Sequence, residues 1–193
     1  WGQISEIVFM LLIPFFFRKL GVKWMLAVGM LAWVLRYVLF SGGAPDGVAW
    51  MIFVGILLHG ICYDFFFVTG FIYTDKKASS DISGQAQGSL VLVTQGIGLG
   101  LGAPIMAQIM RRNAAENAGE LTAQGTALRE EYAEVVKTDP EKAAGLWDKA
   151  SEFLLQATNW KAIWMAPAIM AGVILVLFVV LFHDKVKTND EKA

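Results

Sequence analysis

A histidine, a tyrosine and an aspartate (His59, Tyr63 and Asp64) interrupt an otherwise apolar run in the stretch HGICYDFFF, residues 59–67. The run covers about 48–73 and is long enough to cross a membrane, which takes roughly 20 apolar residues for a hydrocarbon core of about 30 Å. Asp64 lies well inside it. A carboxylate at that depth costs about 2.5 to 3.5 kcal/mol on insertion scales, so it faces a bundle interior, a partner or a water-filled path. That marks Asp64 as a candidate working group. His59 and Tyr63 are four residues apart and share one helix face. The imidazole there is either a packed, hydrogen-bonded group or a proton or substrate contact.

Polar residues in three other apolar runs reach the same height. Glu6 lies twelve residues before Arg18, Arg36 thirteen after Lys23, Asp64 eleven before Asp75 and Gln95 fourteen after Asp81. At about 1.5 Å per residue all four fall at roughly 16 to 21 Å, near the middle of a core about 30 Å thick. Each costs free energy unless paired or hydrated, so their shared height predicts one polar layer. Gln3 and Glu6 are three apart and present a second polar stripe. Within the layer, Glu6 and Asp64 are the candidate working acids. Arg36 is expected to partner an acid or to snorkel outward, and Gln95 to support the layer.

The elements that would position these groups are five membrane-spanning helices at about 1–17, 23–40, 48–73, 82–110 and 160–182, in an all-α membrane protein. Arg18, Lys19 and Lys23 sit in a tight turn between the first two, which must be antiparallel neighbours. A Ser-Gly-Gly-Ala-Pro-Asp-Gly turn precedes the third. Arg18, Lys19, Lys23, Lys76, Lys77, Lys185 and Lys187 fall in alternating connections and predict a cytoplasmic side, with residues 183–193 as a cytoplasmic tail. Arg111 and Arg112 would then lie outside, ahead of a long segment where the rule is weak. That external excursion, 113–159, reads as two amphipathic helices at 126–136 and 141–156, broken at Asp139-Pro140. It is either a cap over the outer mouth or a solvated excursion on the membrane surface. Trp160 and Trp164 fit an interfacial aromatic belt.

Composition narrows the function. Of 193 residues, 56% are hydrophobic and 17% charged, with a mean hydropathy of +0.53, which places the chain in a bilayer. A net charge of -1 offers no field for nucleic acid. The one cysteine, Cys62, forms no intramolecular disulfide and reads as a packing residue. No metal-ligand cluster or cofactor motif is visible, and no serine or cysteine stands beside a base, so an enzyme is not expected. Gly84, Gly88, Gly96, Gly98, Gly100 and Gly102 in the fourth span suit close helix packing, with Pro104 as a kink. No strand precedes them, so a phosphate-binding loop is not expected. The chain opens on Trp1 inside an apolar run, with no basic leader. It reads as part of a larger protein.

Gly2-Gln3-Ile4-Ser5-Glu6, Ile13-Pro14-Phe15-Phe16, Ala32-Trp33-Val34-Leu35-Arg36, Gly60 with Asp64-Phe65-Phe66, and Ala86-Gln87-Gly88 together carry a pattern. It resembles the nucleoside:proton symporter family of the major facilitator superfamily, over nearly all of the spans. The resemblance implies that the five helices correspond to helices 8–12 of a twelve-helix transporter, and that the N-terminal half lies outside this chain. It also implies substrate contacts at Gln3 and Glu6, a stacking ring at Tyr63 and a proton-coupling acid at Asp64, with Glu6 sharing that role. His59 stands where familiar members have tyrosine, and Tyr63 where they have phenylalanine, which bears on what is carried.

The expected function is proton-coupled nucleoside transport by alternating access across a bacterial inner membrane, with the proton as coupling ion and lipids as surroundings. Amides and carboxylates can bond ribose hydroxyls and base edges while a ring stacks on the base. Two other readings use the same helices: a transporter of a sugar or other polar metabolite, and a membrane anchor for a binding module at 113–159.

Overall fold

The computed structural model describes residues 1–183. Six helical segments follow in order: α1 (Gly2–Gly43), α2 (Ala49–Lys77), α3 (Ser83–Arg112), α4 (Ala118–Val135), α5 (Pro140–Gln156) and α6 (Trp160–Leu181). Four of them, α1, α2, α3 and α6, are long and apolar enough to cross a membrane. Lys185, Lys187 and the tail they belong to lie outside the described residues.

The 42 residues of α1 would reach roughly 63 Å if straight, about twice the thickness of a hydrocarbon core. They do not run straight. Gly21 adopts φ 66° and ψ 176°, a conformation that costs an L side chain dearly and glycine little. The contacts show the result. Along the first limb Trp1 meets Phe53, Phe9 meets Phe65 and the Phe17 ring lies under Lys76. Along the second limb the order reverses, with Gly29 against Phe65 and Phe66, and Phe40 against Gly55. The limbs are therefore antiparallel, both packed on α2, and the basic turn expected at 18–23 centres on Gly21. Ile13 and Met25, one from each limb, bury together with Phe65 as the bundle core.

Helix α6 closes against the second limb. Tyr37 and Phe40 pack on Trp164, and the Ser41 hydroxyl donates to the Lys161 carbonyl at 3.0 Å. Its far face, from Val173 to Leu181, stays apolar and exposed, as a lipid-facing helix should. Helix α3 buries none of its residues and touches α2 mainly near its start, where the Gln87 amide donates to the Phe71 carbonyl at 2.9 Å. A wide π turn is inserted into α2 at Asp64–Val68 and another into α3 at Leu92–Ile97.

The excursion is a helical hairpin. The N–H of Ala115 donates to Ala157 O and that of Asn159 to Asn113 O, which ties its two ends together. Asp139 caps α5 by accepting from the Lys142 N–H at 3.0 Å, with Pro140 at the first helical position. Gly125 lets α4 approach Ala150 and Leu154 closely, and Tyr132 packs on Trp147. The first of these helices begins at Ala118, well before the expected 126, because alanines and polar residues continue the helix where no apolar stripe shows. The hairpin shares its end of the bundle with the 44–48 turn, while Arg18, Lys19, Lys76 and Lys77 gather at the opposite end.

Candidate functional site

Ser5 and Gly60 bring the first limb of α1 onto α2. The Gly60 N–H donates to Ser5 Oγ at 3.0 Å, and the Ser5 hydroxyl donates to Gly2 O at 2.6 Å. A Cβ on Gly60 would stand 2.5 Å from the Ser5 carbonyl carbon and oxygen, so only glycine permits this approach. Small residues at such crossings let membrane helices meet backbone to backbone.

One residue after Ser5 on α1 and one before Gly60 on α2, that contact places Glu6 beside His59. His59 Nε2 lies 2.8 Å from Glu6 Oε1. On the other side of the ring, Arg36 Nη1 from the second limb donates to His59 Nδ1. Three spans of sequence thus meet in one line: carboxylate, imidazole, guanidinium. Arg36 is steadied by the Trp33 and Phe40 rings, 5.6 and 5.4 Å from its guanidinium carbon, and by Cys62 Sγ at 3.7 Å. Cys62 is fully buried and donates to its own helix at His59 O, so it packs against the line and does not join it.

The remaining residues divide by position. Tyr63 is half-buried, its ring centroid 5.9 Å from that of His59 and 5.0 Å from that of Phe67, so α2 presents a run of rings. Asp64 begins the π turn and is fully buried, with neither carboxylate oxygen hydrogen-bonded among the described residues. Gly29 presses on that turn: a Cβ there would lie 2.9 Å from Phe66 N. Gln3 sits on the exposed side of the first limb, two residues before Ser5. Gln95 is exposed on α3 and is not brought to the Glu6–His59–Arg36 line. Shared height along a helix axis does not fix what a residue faces, and here α3 buries none of its residues and meets α2 mainly near its start.

Sequence reasoning missed Ser5, Gly60 and Gly29. The signal was present as small residues facing small residues, which is how close helix crossings are built.

Chemically, the line offers a carboxylate with one oxygen bound to an imidazole and the other available to hydroxyl or N–H donors, beside aromatic faces. A buried acid stands a few residues away. Hydrogen-bonding groups beside aromatic faces suit a polar, ring-bearing solute, and an acid can gain or lose a proton; among the described residues no group of three or more His, Cys, Asp or Glu could hold a metal.

These helices have the fold of a multi-pass membrane transporter. Crystal structures of the nucleoside transporter NupG and of a single-substitution variant of it superpose at 23% identity, each covering 94% of this chain and 36% of that one. 

The variant gives a TM-score of 0.69 and the unsubstituted protein 0.67. Residues 1–187 match the family described as Nucleoside H+ symporter, and the chain belongs to that family. YegT of Escherichia coli (strain K12), a candidate nucleoside transporter by name, is 35% identical over 185 residues, 95% of this chain and 36% of that protein. The nucleoside permease NupG of the same organism is 34% identical over 110 residues, 56% of this chain and 26% of that one. Its xanthosine permease is 30% identical over 102 residues, 52% of this chain and 24% of that one. The chain thus spans about a third of the length of the first of these relatives.

Proposed function

We propose that this chain is part of a proton-coupled nucleoside importer of a bacterial inner membrane, working by alternating access. The observation that carries this is the convergence of Glu6, His59 and Arg36 from three spans, in a chain that matches the symporter family over residues 1–187. In this reading Glu6 and Gln3 bond the sugar and base edges, the Tyr63 ring stacks on the base, and His59 borders the same pocket. Asp64 takes the proton, because a lone ionised carboxylate is costly in a sealed, partnerless place and a proton removes that cost. The proton is the coupling ion and no other cofactor takes part. The facing wall of the site comes from the N-terminal half of the same transporter, and the basic end of the bundle faces the cytoplasm.

The test uses the full-length protein in proteoliposomes. Uridine or adenosine should accumulate when the outside is made acidic and should stop accumulating when the gradient is collapsed. Uptake indifferent to the gradient removes the coupling, and inhibition by free sugars at lower concentration than by nucleosides reassigns the substrate.

A further inference from the structure

Arg36 does not touch Glu6, yet the line between them leaves little freedom. A guanidinium has donors and no acceptor, so the ring nitrogen it addresses, Nδ1 of His59, must carry a lone pair and no proton. The one N–H left to the neutral ring is then at Nε2, which faces Glu6 Oε1 at 2.8 Å. Turning the ring over would put carbons where Nδ1 and Nε2 now stand and give up both contacts. Beside it, Cys62 Sγ stands 4.0 Å from Nδ1 and the Tyr63 ring centroid 5.9 Å from that of His59. The charged and titratable groups around the ring are therefore Glu6 from the first limb, Arg36 from the second, and Cys62 and Tyr63 from its own helix.

We infer that Arg36 is a positioning residue for the Glu6 carboxylate and acts through His59, which it holds as the neutral Nε2–H tautomer. The imidazole hands the orientation of the guanidinium across to the acid. Its own N–H is spent on Glu6, so His59 offers a bound solute a ring face and no hydrogen-bond donor. The carboxylate keeps one oxygen pinned and presents the other. This rests on the reading of Glu6 as a substrate contact only for its effect on binding; the tautomer follows from the geometry alone.

The experiment has two arms, both on the full-length protein. In the first, nitrogen-15-labelled histidine is followed by magnetic resonance in lipid nanodiscs at pH 7, with the His59 signals assigned by their loss in His59→Gln. The expected spectrum has a protonated Nε2 and a bare Nδ1. Arg36→Lys, which also donates and cannot accept, should keep that tautomer, and Arg36→Leu should lose it. In the second arm, equilibrium binding of radiolabelled uridine and adenosine should weaken about tenfold or more in Arg36→Leu, the size expected when a hydrogen bond to a charged group is removed. Arg36→Lys should recover part of the loss. His59→Leu should weaken binding similarly, and His59→Gln, with an acceptor at one end of its amide and donors at the other, should recover most of it. A wild-type ring protonated at Nδ1, singly or as imidazolium, overturns the inference, and so does an Arg36→Leu protein whose tautomer is unchanged. If the wild-type protein binds no nucleoside, the transport reading fails while the resonance arm still decides this one.

Discussion

Glu6 and Asp64 are both acids within apolar helices, and the fold treats them in opposite ways. Glu6 is partly open, held by an imidazole and, behind it, a guanidinium. Asp64 is sealed, with both oxygens unpartnered among the described residues. A charge that must stay in place to hold a ligand is served by fixed donors. A group that is to gain and lose a proton is served better by surroundings that do not commit it to the ionised form. In the function proposed above, that difference separates holding from coupling on the same two helices.

The largest effect should come from a change that disturbs both acids at once. Gly60→Val puts branched carbons where a single Cβ already meets the Ser5 backbone at 2.5 Å. Overpacking of this kind costs about 1 to 3 kcal/mol. Uptake should fall to background and the melting temperature in detergent should drop; a protein with normal melting and uptake would break the link between the helix crossing and the site. Next, Asp64→Asn keeps the shape and removes the titrating group. Gradient-driven accumulation should be abolished while exchange of nucleoside across the membrane without a gradient persists, and undiminished accumulation removes Asp64 from coupling. A smaller effect is expected from Glu6→Gln, which keeps an acceptor but loses the charge. Binding measured directly should weaken about tenfold, in line with a hydrogen bond to a charged group, with residual uptake still responding to the gradient. If accumulation in that protein no longer responds to pH, the two roles are not separate.

The smallest effect should come from the excursion. Lys142→Ala breaks the exposed pair with Glu131, whose 2.9 Å contact lies far from both acids. Exposed pairs contribute about 0 to 1 kcal/mol, so uptake and melting should be indistinguishable from the parent. A clear loss of uptake would give the hairpin a part in transport.

Much of this was legible in the sequence. Run length was enough to find apolar helices, four of them long enough to cross a membrane, because it is a one-dimensional property. Relative height along the helices was legible too, and it put Glu6 and Arg36 level with each other, as their meeting through His59 bears out. Direction round each helix was not. Gln95 has the right height and the wrong bearing, and Asp64, a hundred degrees or so round from Tyr63 by helix geometry, turned inward where a π turn widens α2. His59 was legible as a polar residue but not as the link between Glu6 and Arg36, since the link depends on how closely α1 and α2 approach. That distance was written in Ser5, Gly29 and Gly60, whose smallness is easily read as mere tolerance.

The seam between Ser5 and Gly60 has a mechanical side. Two helices joined backbone to backbone, with a hydrogen bond across the seam, resist sliding or prying apart over the stretch that carries Glu6 and His59. In the alternating-access reading proposed above, the first limb of α1 and the facing part of α2 should travel as a single lever when the site turns from one side of the membrane to the other. The give must then lie elsewhere along the chain: at the Gly21 fold, where nothing crowds the backbone, or at the π turns of α2 and α3, where the helices are already wound loosely.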